Sequence, residues 1–173
     1  VPRGSNGKNL PMIVNPHGGP FGPFDQWGFD PEIQLLANRG YAVMQVNFRG
    51  SGNYGKSFME AGYDQWGKAM QDDLTDATRW AIQQGIADPN RICMYGASYG
   101  AYASLMGAAK EPNLYRCVVG NVGTYDLTLQ ISGTTRGGGS ANPLKTYFND
   151  VAQENLAEVS PVFQAGKIKV PVF

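Results

Sequence analysis

At 173 residues the chain has the length of one domain and is long enough to bury a full core. Its 14 Lys and Arg balance 14 Asp and Glu, so it lacks the basic stripe or tail of a nucleic-acid or acidic-lipid binder. The longest apolar runs, such as Tyr41-Ala42-Val43-Met44, fall far short of a membrane span, and the amino end shows no signal-peptide pattern. A soluble chain with no nucleic-acid or membrane partner is expected.

The opening Val1-Pro2-Arg3-Gly4-Ser5 reads either as the remnant of a protease-cleavable tag or as the native end of a strand-and-turn segment. Short β-branched runs then recur at 12–14, 41–47, 92–95, 117–120 and 170–173, alternating with helical patterns. That is the rhythm of a parallel sheet in an α/β fold. A short helix is predicted over 32–38. A longer one is marked by Met70, Leu74, Ala77 and Ala81 at helical spacing, opened by Asp72 and Asp73 and ended by Gly85. A third runs over 99–109 and must stop before Pro112. Residues 132–143, with Gly137-Gly138-Gly139 inside, read as a mobile loop of the kind that borders a site, and Asp150 and Glu154 as solvated residues of a helical-looking stretch. The final run, Lys167-Ile168-Lys169-Val170-Pro171-Val172-Phe173, enters a strand and stops inside it, which predicts further polypeptide in the natural protein.

Cys93 and Cys117 each fall in a predicted buried strand, where a free thiol behaves as a small hydrophobe, so two inert core thiols are expected and no disulfide. A pair this sparse leaves the compartment open between cytoplasm and periplasm. Trp27, Trp66 and Trp80 are expected in the core, Trp80 packing from the long helix.

The most specific chemistry lies at Gly96-Ala97-Ser98-Tyr99-Gly100, between an apolar run and a helix-forming run. In a nucleophile elbow the serine sits on a turn so sharp that only glycine two residues either side leaves room for strand and helix. The helix beginning there points its amides at any oxyanion formed nearby. The bland alternative is a structural turn serine. A serine nucleophile needs a base, and the only histidine is His17, which precedes Ser98 in Asn15-Pro16-His17-Gly18-Gly19-Pro20 directly after the first strand. Its place and glycines suit a loop supplying an oxyanion-hole amide, so the base is expected to be missing from these residues. Asp126, after the fourth run, occupies a place where some enzymes carry the triad acid, but without a histidine to orient it a loop or helix-capping role fits better.

Gly50-Ser51-Gly52-Asn53-Tyr54-Gly55 formally satisfies a Gly-x-Gly-x-x-Gly pattern, with Asp72 about twenty residues on. A dinucleotide fingerprint would open a helix at once and place the acid at a strand end, whereas these glycines continue as loop and Asp72 begins a helix. Arg49, just before them, is expected to pair with Asp72 or Asp73, with a substrate contact as the lesser alternative.

With His17-Gly18-Gly19-Pro20, Asn47-Phe48-Arg49-Gly50-Ser51-Gly52-Asn53-Tyr54-Gly55 and Gly96-Ala97-Ser98-Tyr99-Gly100 in that order, the chain resembles the catalytic domain of the prolyl oligopeptidase family of serine peptidases. The branch it looks most like is the acylaminoacyl-peptidase and dipeptidyl-peptidase type. The resemblance implies an α/β-hydrolase fold with a mostly parallel sheet and helices on both faces, cut before the catalytic aspartate and histidine. It implies that residues 1–173 are part of that catalytic domain, with an amino-terminal β-propeller and the carboxyl-terminal remainder belonging to the same parent chain. It also implies Ser98 as nucleophile, the amides of Tyr99 and Gly19 as oxyanion donors with His17 in the loop, and Val122 and Tyr125 at the pocket for the residue before the cleaved bond. The expected function is hydrolysis of short peptides through an acyl-enzyme, with no metal or cofactor and with the fragment alone inactive. A carboxylesterase of the same fold and a non-catalytic interaction domain are the alternatives. The sequence leaves oligomeric state open, a homo-oligomer included.

Overall fold

A computed structural model of the chain describes residues 1–132, 143–148 and 155–173. The predicted loop 132–143 falls outside them except for its two end residues, as do Asp150 and Glu154. Four strands, β1 (Leu10–Val14), β2 (Ala42–Met44), β3 (Ala87–Ala97) and β4 (Cys117–Asn121), form one sheet in the order β2-β1-β3-β4. Every pairing is parallel, with Met12 opposite both Ala42 and Ile92, and Cys93 opposite Cys117. Consecutive residues Met12, Ile13 and Val14 are all buried, the continuous apolar run of a strand covered on both faces.

The helices follow from the connections. α1 (Pro31–Asn38) starts where the Asp30 carboxylate accepts from the amides of Glu32 and Ile33, with Pro31 at the first helical position. α3 (Ala69–Gln83) turns Met70, Leu74, Thr78 and Ala81 inward, and α4 (Tyr99–Lys110) is buried over most of its length. Between β2 and α3 in sequence, α2 (Lys56–Glu60) is a single short turn of helix. The crossover from β1 to β2 runs in the opposite direction along the sheet from those entering β3 and β4. Right-handed crossovers therefore place α1 on one face and α3 and α4 on the other. The core lies on the second face, where Met70, Leu74, Ile92, Met94, Tyr102, Tyr115 and Val118 are fully buried.

Beyond β4 come α5 (Leu127–Ser132) and α6 (Pro161–Gln164), and the terminal segment returns to the sheet. Val172 bridges Val118 in parallel, and the amide of Phe173 donates to the Val118 carbonyl at 3.0 Å. The predicted final strand thus exists as a strand-like edge.

Three expectations fail. Cys93 and Cys117 are joined as a disulfide, because parallel register sets them directly opposite with Cα atoms 4.8 Å apart, well within bridging reach. Neither thiol is free. Trp80 is half exposed, since the inward face of α3 is defined by residues 70, 74, 78 and 81 and position 80 points away from it. Trp27 is fully exposed in the loop between β1 and α1, and only Trp66 is in the core.

Candidate active site

β1 and β3 are neighbours whose outgoing connections leave in opposite directions, β1 toward β2 and β3 toward β4. Diverging connections open a crevice at the carboxyl ends of such strands, where α/β sheets place ligands. The loop after β1 carries His17-Gly18-Gly19, and the residue after β3 is Ser98. The two motifs singled out in the sequence therefore meet at one point.

Ser98 separates β3 from α4, with φ 56° and ψ −120°, and its side chain is exposed. A non-glycine residue at positive φ is strained, and strain of this kind persists only where the surroundings hold it. They do: the Ser98 amide donates to the Asn121 carbonyl on β4 at 3.0 Å, and its carbonyl accepts from the amides of Ala101 and Tyr102. Tyr99 is the first residue of α4, so its amide has no partner within the helix and the positive end of the helix dipole lies at the Ser98 hydroxyl. The Tyr99 side chain points the other way, buried against Trp66 and Phe48 with ring centroids 4.6 and 5.3 Å away. Burial pushes its phenol far above the ordinary range, and the Asp73 charge acts in the same direction, so the hydroxyl stays neutral.

Gly100 explains how the loop reaches the elbow. A Cβ there would stand 2.1 Å from the Pro16 carbonyl oxygen, a backbone atom with no room to move. Gly100→Ala is expected to cost about 3 kcal/mol of stability, the upper end of overpacking. A lowered unfolding midpoint is the readout, and an unchanged midpoint would contradict this close approach. On the same loop, a Cβ at Gly18 would lie 3.5 Å from the Ser98 Cβ, which places the Gly18-Gly19 backbone alongside the serine.

His17 is not placed as a base. Its Nε2 lies 2.9 Å from the Ser51 hydroxyl, its Nδ1 2.8 Å from the Gly18 carbonyl, and its ring stacks on Phe48 at 4.4 Å. The nearby Asp25 carboxyl is raised by burial, an effect opposed by His17. The Ser51 contact, between residues 34 apart in sequence, is a member of the site that sequence reasoning missed. The only signal was a glycine-flanked serine in a loop leaving the neighbouring strand.

The expected ion pair is confirmed in one of its two forms. The Arg49 guanidinium makes two hydrogen bonds to Asp73, at 2.9 and 2.7 Å, and the Arg49 amide donates a third. Asp72 pairs instead with Lys110 at 2.6 Å. The Asp73 hydrogen bond raises the Arg49 pKa further, so the guanidinium is a fixed tie between this loop and α3. Asp126 caps α5: its carboxylate accepts from the Thr128 hydroxyl and from the amides of Thr128 and Leu129, and is held below the usual carboxylate range, chiefly by that hydroxyl. It is engaged as a cap, in agreement with the capping reading.

The two residues assigned to the pocket part company. Val122 follows Asn121, the residue bound to Ser98, and is highly exposed at φ 46°. Tyr125 lines an apolar cavity of about 320 Å³ with Leu105, Pro161, Val162, Ile168 and Val170, a cavity to which Ser98 does not contribute. Val122 thus lies one residue from the carbonyl that holds the Ser98 amide, while Tyr125 lines a separate cavity.

The family model for the prolyl oligopeptidase family matches residues 27–173. Dipeptidyl aminopeptidase BIII of Pseudoxanthomonas mexicana is 36% identical over 99% of this chain and 27% of its own length. Dipeptidyl peptidase family member 6 of Caenorhabditis elegans is 36% identical over 93% of this chain and 22% of its own. Among solved structures, an acylaminoacyl peptidase in complex with Z-Gly-Gly-Phe-chloromethyl ketone superposes with a TM-score of 0.84 at 27% identity, covering 99% of this chain and 28% of that one. The chain thus spans about a quarter of the length of these relatives. A parallel α/β sheet with the elbow and the His-Gly-Gly-Pro loop at its switch point, matched by that family model over most of its length, places this chain in the prolyl oligopeptidase family.

Proposed function

We propose that residues 1–173 are the nucleophile-bearing part of a serine peptidase that hydrolyses short peptides, of acylaminoacyl or dipeptidyl type, through an acyl-enzyme on Ser98. The observation that carries this reading is an exposed serine at φ 56° on the amino end of α4, with the Gly18-Gly19 backbone beside it. The peptidase relatives support the substrate class. In the mechanism, the Ser98 Oγ attacks the peptide carbonyl carbon as its proton passes to a histidine. The Tyr99 and Gly19 amides hold the oxyanion, the histidine protonates the departing amine as the C–N bond breaks, and water then releases the acyl group. Val122 borders the position of the residue before the cleaved bond.

The histidine is a residue outside 1–173. The chain's single histidine, His17, is occupied by Ser51 and Gly18. The length of the relatives suits a parent polypeptide that also carries an amino-terminal propeller and a carboxyl-terminal remainder. The test compares an acyl-amino-acid or dipeptidyl anilide with a simple ester on that parent polypeptide. Turnover of the anilide is expected, and activity confined to the ester would make the protein a carboxylesterase. Activity on neither would favour a non-catalytic interaction domain.

A further inference from the structure

The glycine-rich segment 47–54 has no part in the mechanism above, yet it is bound to the loop 15–25 along its length. The Gly22 amide donates to the Gly50 carbonyl at 3.4 Å and the Gly52 amide to the Pro23 carbonyl at 3.0 Å. The Asn47 side chain exchanges two hydrogen bonds with the Asp25 backbone, at 2.7 and 2.8 Å. A Cβ at Gly52 would lie 1.9 Å from the Gly22 carbonyl oxygen, so this closeness requires glycine. Arg49 and Asp73 tie the same segment to α3. One loop is thus held by another that is itself anchored to the scaffold.

Within this clamp one chain of hydrogen bonds ends at a reacting position. The Gly18 carbonyl can only accept, so the His17 Nδ1 carries the proton and donates to it at 2.8 Å. In the neutral ring Nε2 is then the acceptor, and the Ser51 hydroxyl donates to it at 2.9 Å. Ser51 is fully buried. The Gly18 carbonyl and the Gly19 N–H belong to a single planar trans peptide, in which they point in opposite directions. Drawing the carbonyl toward His17 therefore fixes the direction of the Gly19 N–H, and hydrogen bonds in series polarise one another.

We propose that Ser51 is a positioning residue, which acts through His17 and the Gly18 carbonyl to aim the Gly19 N–H at the oxyanion. This rests on the reading of Gly19 as an oxyanion donor to a carbonyl attacked by Ser98. The contribution of an aimed donor is felt in the transition state and little in substrate binding.

The test uses the parent polypeptide with Ser51→Thr and Ser51→Val, which have the same shape and differ by one hydroxyl, alongside Ser51→Ala. Ser51→Ala and Ser51→Val are expected to lower kcat about 10- to 100-fold, short of the roughly 10²–10³-fold cost of deleting a donor outright. KM should change less than about twofold, and affinity for a peptide aldehyde, which forms a tetrahedral adduct on the serine, should fall with kcat. Ser51→Thr is expected to recover most of the loss. Rates are taken per folded molecule, so a shared packing defect moves Thr and Val together while loss of the hydroxyl separates them. Equal kcat for Ser51→Thr and Ser51→Val, or a loss confined to KM, overturns the proposal. Ser98→Ala measured beside them separates the two readings: if it stays active, the nucleophile assignment itself is wrong, whereas an inactive Ser98→Ala with Thr and Val equal removes only the role of Ser51.

Discussion

Ser98→Ala in the parent polypeptide is expected to lower peptide hydrolysis by about 10⁴- to 10⁶-fold in kcat, with KM nearly unchanged. Nucleophile and base act as a unit, so removing the hydroxyl leaves only what the oxyanion donors and binding contribute. The substitution is mild for the fold, because the side chain is exposed and the residue is held by its backbone: the amide to Asn121, the carbonyl to Ala101 and Tyr102. Some relief at φ 56° is lost with neither residue, since alanine and serine both carry a Cβ. An unfolding midpoint close to that of the unaltered protein should therefore accompany the loss of turnover. Steady-state kinetics on a chromogenic peptide, read against that midpoint, separate a missing nucleophile from a misfolded elbow.

The second large effect concerns the proton acceptor. Residues 1–173 alone, folded as judged by circular dichroism, are expected to turn over the same peptide at least about 10⁴-fold more slowly than the parent, because base and nucleophile contribute jointly. An independent arm uses the parent itself. His17→Gln should cost roughly 10- to 100-fold, the scale of a disturbed oxyanion donor. Its ring is committed to Ser51 and Gly18, so a loss as large as that of Ser98→Ala would make His17 the base and overturn the placement of that residue. Turnover by residues 1–173 at the parent's rate would do the same from the other direction.

How far these features could be read from the sequence depends on their range. The elbow is local: glycines at 96 and 100, an apolar run before and a helix-forming run after fix its geometry within a dozen residues, and strand, turn and helix appear as expected. The ion pair of Arg49 was narrowed to two adjacent carboxylates, since α3 presents both Asp72 and Asp73 near its start, and only packing of α4 decides that Lys110 takes the first. β2 is shorter than its apolar run because pairing with β1 ends at Met44, after which the chain leaves to build the clamp. Nothing local announces that departure. The disulfide shows the same limit more sharply: the place of each cysteine on a strand was readable, although both are half-buried rather than buried, but their alignment depends on the register between β3 and β4, a property of neither strand alone. Trp80 failed for another reason, as a large aromatic on an amphipathic helix sits on the outward side of a face that its neighbours define.

In the proposed reaction the nucleophile is one hydroxyl, raised on a strained turn and faced by two main-chain donors. The most direct measurement treats the parent polypeptide with a fluorophosphonate and maps the adduct by mass spectrometry. A single adduct on the Ser98 of Gly96-Ala97-Ser98-Tyr99-Gly100, abolished by Ser98→Ala, is the predicted result. An unlabelled active protein, or an adduct on a different serine that survives Ser98→Ala, would contradict it.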